Sequence, residues 1–556
     1  MFNTPRFTPI LLISVFVIST PLAAQSILQT QFGTVANSRL GMRLAGVGDI
    51  NNDGVSDYAA SGGLGAVHLT VTIFSGVSGS VLYTLEDSTL GNFGNAVGAA
   101  GDINSDGFGD FIIGSPSTGP SNRGRAIIYS GATGLALRTH SGVTDQQMLG
   151  AAVAAIGDVN NDGVTDTVIS SSFVTGGIGF AQTFSGATGL SLYTSFGSQI
   201  ENDNGFGLSV ASVGDVSGDG KEDFLVGISN ISGPSTKAKL FSGSNGTLLN
   251  TFFGNVHSIN DSFGFATAAL GDVNRDGTPD FGATAMSEFI FQGPTGYIKV
   301  FSGANKSLLY TLSGDATFDT FGWSASAAGD ADLDGFADFA CGSKKGYIKV
   351  YSGSNGSTMY TITDPFPAAE NQFGRAMALR VDTNNDKYSE LLVADHVNDQ
   401  AASNAGAVYT YSLVPAGLSH FGVGTPGCTG PELMTGNSVP YVGNLNFKLR
   451  GNKAPANSLG LVIASDMVNI VGSDPFSIFV TLHVDIINTP EVYVYDMFSD
   501  SAGFAQADDP IPNNPNLVGL TFYVQTLWYW GPAGCGLTPM HLSISNVLVA
   551  TLQPAP

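Results

Sequence analysis

Short apolar segments alternate with turns rich in Gly, Asn, Asp and Ser along most of the chain. One typical stretch holds apolar segments at residues 96–100, 110–114, 125–129 and 135–139, with an acidic loop between the first two. Segments of this length that are rich in β-branched and aromatic residues are typical of strands, and the residues between them are typical of tight turns. The pattern therefore predicts four short antiparallel strands in this stretch.

This four-strand pattern is repeated about every 55 residues, and an acidic motif, D-x-N-x-D-G-x-x-D, marks each copy. The motif begins at Asp49, Asp102, Asp158, Asp215, Asp272 and Asp330, with a weaker copy at Asp382. A glycine stands eight positions before each motif: Gly41, Gly94, Gly150, Gly207, Gly264, Gly322 and Gly374. Four antiparallel strands in a period of this length predict the blade of a β-propeller.

The last repeat lacks a fourth strand, whereas residues 27–30 form an additional strand before the first repeat. We predict that this N-terminal strand completes the seventh blade, because ring closure hides the sheet edges that an open array exposes. The predicted fold class is all-β, with a seven-bladed propeller over residues 26–413. A linear solenoid is the alternative, and it leaves the displaced strand without a role.

Residues 416–556 lie outside the repeat and have strand patterns of their own, which predict a small all-β, sandwich-like C-terminal domain. Trp528 and Trp530 are candidates for a sugar-stacking platform, although packing in the core or on a sheet face is the favoured interpretation. Cys428 and Cys535 are candidates for a disulfide bond in an oxidising compartment, whereas Cys341 is predicted to be a core residue.

The N-terminus has the order of a secretory signal peptide. Arg6 precedes an apolar run at residues 9–18, and small residues follow up to Ala24, so residues 1–24 are the predicted signal peptide. The run is short for a membrane span, and we expect no transmembrane segment after cleavage. The predicted location is extracytoplasmic, either secreted or at the cell surface, and a retained N-terminal anchor is the alternative.

The composition excludes one class of partner. The net charge of -24 leaves no basic surface that could replace the counterions of nucleic acid. The hydrophobic fraction of 43% is sufficient for a sizeable core, while the charged fraction of only 12% argues against long solvent-facing helices. We expect a monomer.

The acidic motif has the chemistry of a calcium loop. Calcium binds six to eight oxygen ligands, and acids at alternate positions can turn toward one centre around a glycine at position 6. The flanking strands and the absence of Glu at position 12 exclude an EF-hand. Metal-free turns, in which the side chains cap backbone amides, are the alternative.

We therefore expect five to seven structural Ca2+ ions. Loop four should bind more weakly because Ser217 replaces Asn and Lys221 is adjacent, and Lys387 occupies the glycine position of loop seven. The predicted metal residues are Asp49, Asn51, Asp53, Asp57, Asp102, Asn104, Asp106, Asp110, Asp158, Asn160, Asp162, Asp166, Asp215, Ser217, Asp219, Asp223, Asp272, Asn274, Asp276, Asp280, Asp330, Asp332, Asp334, Asp338, Asp382, Asn384, Asp386 and Glu390.

The Phe-Gly pair, the Gly-Asp pair and the acidic motif together resemble the FG-GAP repeats of the integrin α-subunit head over residues 26–413. Similar repeats occur in glycosylphosphatidylinositol-specific phospholipase D, certain fungal lectins and many exported bacterial proteins. The resemblance implies calcium loops on one rim and ligands on the other face or between blades. The C-terminal region, with Phe421-Gly-Val-Gly and Cys428, resembles a terminal domain of exported planctomycete-type repeat proteins.

No catalytic constellation is evident. The seven His residues are scattered, and the chain has no H-E-x-x-H, G-x-S-x-G or Walker motif. We predict a non-enzymatic adhesion or ligand-binding module, with no catalytic residues, that binds a protein or glycan on the face opposite the calcium loops. A lectin is the first alternative, with candidate aromatics at Phe173, Phe289, Phe291 and Phe366. A secreted hydrolase or lyase built across the channel is the second.

Overall fold

The computed structural model describes residues 27–553 of the 556-residue chain, except for the following gaps. These are residues 64–69, 88–90, 173–177, 202, 230–235, 256–261, 287–294, 316–318, 333, 368–371, 381–387, 415–417, 422–432, 437–447, 453, 456, 466–467, 474–481, 485–491, 501–503, 509–510, 512, 530–541 and 546. The predicted signal peptide lies outside the described residues. So do Phe173, Phe289, Phe291, Asp382, Asn384, Asp386, Cys428, Trp530 and Cys535.

Seven sheets of four antiparallel strands form the first part of the chain, which confirms the predicted propeller fold. Strand β1 (Ile27–Phe32) comes before blade one. Blades one to three contain β2 (Leu44–Gly48), β3 (Asp57–Gly62), β4 (Thr70–Phe74), β5 (Val81–Glu86), β6 (Ala96–Gly101), β7 (Asp110–Ser115), β8 (Arg125–Tyr129), β9 (Ala136–Ser141), β10 (Leu149–Ala155), β11 (Thr167–Ser171), β12 (Phe180–Phe184) and β13 (Ser191–Phe196).

Blades four to six contain β14 (Phe206–Gly214), β15 (Asp223–Ile228), β16 (Lys237–Phe241), β17 (Leu248–Phe253), β18 (Phe263–Gly271), β19 (Asp280–Ala285), β20 (Tyr297–Phe301), β21 (Leu308–Ser313), β22 (Phe321–Gly329), β23 (Asp338–Ser343), β24 (Tyr347–Tyr351) and β25 (Thr358–Thr363). Blade seven contains β26 (Ala376–Arg380), β27 (Glu390–Asp395) and β28 (Ala407–Ser412), and a single-turn 3-10 helix, Pro120–Asn122, precedes β8.

The ring closes through strands from the two ends of the repeat region. Strand β1 pairs antiparallel with β28 and is the fourth strand of blade seven. The innermost strand of each blade contacts that of the next, and β26 contacts β2 in the same way. Because each blade is covered by a neighbour on both faces, its second strand is buried along its whole length, as β7 and β15 show.

An aromatic pair recurs in the core of the blades. The aromatic residue directly after the last aspartate of the acidic motif stacks on the aromatic residue at the end of the third strand. Such pairs contribute about 0.5–1.5 kcal/mol beyond the area that they bury. The ring centroids are 5.2–6.0 Å apart in the pairs Tyr58–Phe74, Phe111–Tyr129, Phe224–Phe241, Phe281–Phe301 and Phe339–Tyr351.

The glycine of the repeated Phe-Gly or Leu-Gly pair adopts a left-handed backbone conformation at a close contact. At Gly264, φ is +88°, and a Cβ atom would lie 2.3 Å from the carbonyl oxygen of Lys237. Glycine alone avoids both the backbone strain and this contact. The structure therefore explains why a glycine stands at this point of the blade.

We expect Gly264→Ala to lower the free energy of unfolding by about 2–3 kcal/mol, through left-handed strain and the forced movement of the Lys237 carbonyl. Gly519→Ala is the matched control, because Gly519 has φ of +85° but no atom within 4 Å of its Cβ position. Urea unfolding of both variants measures how much of the loss comes from backbone strain and how much from the contact with the Lys237 carbonyl. Equal losses in the two variants would contradict this explanation.

The second part of the chain is also built of strands. These are β29 (Leu418–Phe421), β30 (Leu433–Gly436), β31 (Lys448–Asn452), β32 (Leu459–Ser465), β33 (Val468–Ser473), β34 (Leu482–Val484), β35 (Val492–Phe498), β36 (Ala505–Asp508), β37 (Thr521–Tyr529), β38 (Leu542–Ile544) and β39 (Val547–Thr551), with a short 3-10 helix, Pro515–Leu517. They form one six-stranded, one three-stranded and one two-stranded sheet.

Two sequence interpretations about single residues are resolved by burial. Trp528 is 1% exposed in the core of the C-terminal sheets, beside Val462 and Leu548, so it is a packing residue. Cys341 is fully buried in β23 and has no disulfide partner, as expected for a core residue. The described part of the chain contains no helix that is both long and apolar enough to cross a membrane.

His140 in β9 is a buried, titratable group between two blades. Its ring centroid lies 4.1 Å from that of Phe184, and its Nε2 atom has no hydrogen-bond partner. Burial, followed by the charge of Arg138, lowers the pKa of His140 to about 4. The imidazole is therefore neutral in the folded protein at neutral pH.

This depressed pKa predicts an acid-sensitive contribution to stability. An unfolded chain protonates His140 near pH 6.5, so the contribution is complete above that pH and decreases as the pH falls to about 4. We expect the difference in unfolding free energy between the wild-type protein and His140→Leu to change by up to about 3 kcal/mol over this interval. It should be constant from pH 7 to 9. A constant difference down to pH 4 would show that the pKa of His140 is the same in the folded and unfolded states.

Candidate metal loops and the axial cavity

Acidic loops one to six leave the same rim of the ring. Each loop connects the first and second strands of its blade, as between β6 and β7 in blade two and between β22 and β23 in blade six. Because the innermost strands follow one another around the ring in the same orientation, their last residues lie at one rim. The structure thus places the sequence-predicted residues of loops one to six in six equivalent positions.

Loop two shows the internal hydrogen bonds of a well-formed loop. The carboxylate of Asp102 accepts the N–H groups of Asp106 and Gly107 at 3.0 and 2.9 Å. Asn104 Oδ1 accepts the Asp106 N–H at 3.1 Å, and Asp106 Oδ1 accepts the Phe108 N–H at 3.0 Å. Equivalent bonds form in loops one, three and five.

These bonds are the side-chain caps of the metal-free alternative, but they also arrange oxygens in the way that calcium requires. Positions 1, 3 and 5 of the motif supply carboxylate and amide oxygens, which are hard ligands suited to Ca2+. Each capping oxygen can accept from more than one direction, so capping and metal binding are compatible. The donor set of loops one, two, three and five fits a calcium ion.

The aspartate at position 9 has a second role that the sequence did not reveal. Asp110 is fully buried, and its two oxygens accept the Ile103 N–H at 2.8 Å and the Gly131 N–H at 2.9 Å. It therefore ties the loop to the aromatic-Ser-Gly turn at the end of the third strand. The same pair of bonds is made by Asp57, Asp166, Asp223, Asp280 and Asp338.

Burial of these position-9 carboxyls disfavours their charged form. Burial raises the pKa of Asp110, against the effect of its backbone hydrogen bonds, and it raises the pKa of Asp280 to about 6. A nearby dication would favour the charged form and lower these pKa values.

Loop four differs from the others in its contacts. The Ser217 hydroxyl lies 3.3 Å from Asp223 and 3.5 Å from Asp215. Lys221 extends away from this loop, and its ammonium donates to the carbonyl oxygen of Asp158 in loop three at 2.7 Å. The lysine therefore places its positive charge beside loop three, and not in loop four as its position in the sequence suggested. Of the predicted metal residues in loop seven, only Glu390 is described, and it is fully buried at the start of β27.

Loop six brings its carboxylates closest together. Ligand oxygens of Asp330, Asp332 and Asp338 all lie within 4.8 Å of one another, and this is the one group of its kind among the described residues. Burial, followed by the charge of Asp334, raises the pKa of Asp330 to about 7. Asp332 is 4% exposed, and its Oδ1 atom has no hydrogen-bond partner.

A residue from the C-terminal sheets enters loop six. Arg450 in β31 places Nη1 2.8 Å from Asp332 Oδ2 and Nη2 3.7 Å from Asp334 Oδ2. The same Nη1 lies 3.3 Å from the carbonyl oxygen of Asp332, and Arg450 is only 9% exposed. A guanidinium therefore neutralises part of the acidic cluster that the sequence assigned to calcium alone.

A second contact joins the C-terminal sheets to the neighbouring loop. Arg275 in loop five lies 3.8 Å from Asp500, and its guanidinium carbon is 6.0 Å from the ring centroid of Phe504. Sequence reasoning missed this contact and that of Arg450, because both join segments more than a hundred residues apart that share no repeat.

The opposite rim contains a cavity of about 460 Å3 on the ring axis. Its lining comes from the beginnings of the innermost strands, whereas the acidic loops follow their ends. Arg43, Asn95, Phe265, Trp323 and Arg375 supply its large polar and aromatic side chains. The repeat thus separates two chemically different surfaces, an acidic rim and an axial cavity.

The repeat is also recognised by comparison with known proteins. Residues 93–129 match the family model of the FG-GAP repeat. Integrin alpha-2 of Bos taurus is 30% identical over 165 residues, which is 26% of this chain and 14% of the relative. Integrin alpha-8 of Homo sapiens is 31% identical over 98 residues, or 15% of this chain and 9% of the relative.

Integrin alpha pat-2 of Caenorhabditis elegans is 36% identical over 69 residues, which is 12% of this chain and 6% of the relative. All three matches therefore cover a small part of the relatives' own length. They confirm the resemblance of the repeat region to integrin α-subunits. The resemblance of the C-terminal region to a domain of planctomycete-type proteins stays a prediction.

Proposed function

From the premise that this chain is a seven-bladed propeller with an FG-GAP repeat, similar in part to integrin α-subunits, we propose that it is a non-enzymatic ligand-binding or adhesion module. It acts outside the cell, and it binds a protein or glycan ligand on the face opposite the acidic loops. Calcium ions in those loops have a structural role: they neutralise clustered carboxylates and hold the loops in place.

The observation that carries this proposal is the separation of the two rims. Six equivalent acidic loops occupy one side, where their hydrogen bonds tie them to the blades. The axial cavity opens among side chains that differ from blade to blade, such as Asn95, Phe265 and Trp323. A regular scaffold that presents variable side chains around a cavity is how recognition surfaces are built.

The composition of the cavity supports binding without catalysis. A glycosidase requires two carboxyl groups on opposite sides of the scissile bond. Among the residues that the structure describes, neither Asp nor Glu lines the axial cavity. The carboxylates of this chain are concentrated instead in the acidic loops on the other rim.

The test is a binding screen of the full chain against a glycan array and an array of extracellular proteins, in calcium and in chelator. A ligand found there is mapped with Phe265→Ala in the cavity and with Lys448→Gln, a control in a partly exposed ion pair with Asp508 in the C-terminal sheets. We expect saturable binding that Phe265→Ala weakens and Lys448→Gln leaves unchanged. Turnover of the ligand, or binding that maps only to the acidic rim, would refute the proposal.

A further inference from the structure

The side chains around the axial cavity are unevenly distributed. The residue after the repeat glycine lines the cavity in six blades, and in blade one the next residue, Arg43, takes this place. These residues are Arg43, Asn95, Ala151, Leu208, Phe265, Trp323 and Arg375. The cationic and aromatic members come from blades five, six, seven and one, which are consecutive around the ring, so they share one side of the cavity.

The charge of the cavity is opposite to that of the chain. The protein has 45 acidic and 21 basic residues, yet two arginines and, within the described part, no carboxylates line the cavity. A pocket with walls of one charge sign concentrates ligands of the opposite sign. The cavity therefore favours an anion in an otherwise acidic protein.

Arg43 has no carboxylate partner in the described structure. Its Nε donates to the carbonyl oxygen of Asn95 at 2.9 Å, and its Nη1 donates to that of Met42 at 3.2 Å. Burial lowers the pKa of its guanidinium, which reflects the cost of holding this charge away from water. The side chain is half-buried, so its charge is only partly hydrated, and an anionic ligand would stabilise it.

Arg375 stands on the adjacent blade and is positioned by polar and aromatic neighbours. Its Nη1 donates to Gln372 Oε1 at 2.7 Å and lies 3.1 Å from His396 Nε2. Its guanidinium carbon is 5.1 Å from the ring centroid of Trp323, and Phe265 meets the same ring edge-on at 5.3 Å. The cation and the two aromatic rings thus form one continuous wall.

We propose that this cavity binds an organic carboxylate of about monosaccharide size, with its carboxylate at Arg43 and Arg375 and its body against Trp323 and Phe265. The inference rests on the proposed function and specifies the ligand class of the same site. Guanidinium groups match carboxylates through paired hydrogen bonds, which favours a carboxylate over a spherical anion.

The volume and the wall chemistry favour a uronic acid, free or at the end of a saccharide chain. A cavity of about 460 Å3 lies within the range of small-molecule sites. Both forms of the ligand present the same carboxylate. A free uronic acid and a uronate-terminated oligosaccharide are therefore compared in the test.

The test measures binding of sodium glucuronate to the full chain by calorimetry and by the change in tryptophan fluorescence, to which Trp323 in the cavity contributes. Glucose, which lacks the carboxylate, is the ligand control, and a glucuronate-terminated disaccharide is the second arm. Arg43→Gln removes the cavity charge, Arg43→Lys retains it, and Arg123→Gln removes an arginine charge elsewhere. Circular dichroism of each variant reports whether the fold is retained.

We expect saturable glucuronate binding that salt weakens, no binding of glucose, and at least a tenfold loss of affinity in folded Arg43→Gln, about 1.4 kcal/mol. Arg43→Lys should retain part of the affinity and Arg123→Gln all of it. Tighter binding of the disaccharide assigns the ligand to a glycan terminus, and equal binding assigns it to the free acid.

Equal binding of glucose, or undiminished binding by folded Arg43→Gln, overturns the inference. Absence of glucuronate binding also overturns it. If an array ligand in that case still depends on Phe265, the proposed ligand-binding function stands and only the carboxylate class fails. If neither glucuronate nor any array ligand binds, both fail.

Discussion

Replacement of Arg450 by glutamine is expected to lower the free energy of unfolding by about 3–5 kcal/mol in calcium-free buffer. Arg450 lies 2.8 Å from Asp332 Oδ2 and is 9% exposed, so its loss leaves buried carboxylates without their cation. Removal of one partner from a buried ion pair costs far more than removal of an exposed pair. Urea unfolding followed by circular dichroism measures the loss.

A double-mutant cycle tests the cause of this loss. Because Asp332→Asn removes the charge that Arg450 neutralises, the double variant Asp332→Asn/Arg450→Gln should lose less than the sum of the two single variants. Arg123→Gln, in an ion pair whose side chains are 41% and 59% exposed, is the matched control and should change stability by less than about 1 kcal/mol. Additive losses in the cycle would show that the two side chains are not coupled.

The Arg450→Gln variant also tests whether calcium or the guanidinium of Arg450 neutralises the carboxylates of loop six. Arg450 and a calcium ion both neutralise the carboxylates of Asp332 and Asp334, so their effects on stability should overlap. We therefore expect added calcium to restore part of the stability of Arg450→Gln. If calcium restores none of it, the guanidinium is the cation of loop six and calcium stabilises the other loops.

Removal of calcium by a chelator is expected to lower the melting temperature by about 10 °C, the largest effect that we predict. Each site held at a hundred times its dissociation constant stabilises the folded state by about 2.7 kcal/mol, and the repeat supplies several such sites. Elemental analysis of the desalted protein should find roughly five to seven calcium ions per chain. The melting temperature is measured before and after chelation, and again after calcium is added back.

A variant of a single loop makes this experiment specific. Asp106→Asn retains the oxygen that accepts the Phe108 N–H but removes one carboxylate charge from loop two. We expect it to reduce the calcium content by about one ion per chain. Asp145→Asn, which lies outside the acidic loops, should leave the calcium content unchanged. Calcium near zero together with an unchanged melting temperature would establish the metal-free turns as the state of these loops.

The repeat made most of the fold predictable because a blade is a local structure. Strand length, turn residues and the acidic motif all occur within one period, so the sequence shows seven blades without knowledge of how they pack. The left-handed glycine at Gly264 and the aromatic pair Phe111–Tyr129 follow the same period. Consequently, the number of blades and the rim that carries the loops were both predictable.

The position-9 aspartates were predictable as oxygen ligands for a metal, but their hydrogen bonds to the neighbouring turn were not predictable. The bond between Asp110 and the Gly131 N–H joins two turns of one blade, and nothing in the spacing shows that they meet. The burial that raises the pKa of Asp280 is likewise not evident from the spacing. Both properties arise only when the strands of a blade are folded against one another.

By itself, the sequence determined the all-β architecture, the seven blades and six well-formed acidic loops, because these depend on residues close together in the chain. The tertiary structure alone decided that Arg450 enters loop six and that Arg43, Trp323 and Arg375 meet in one axial cavity. These contacts join residues from separate blades or from the C-terminal sheets. No local pattern encodes them, since they depend on how complete sheets are placed against one another in the ring.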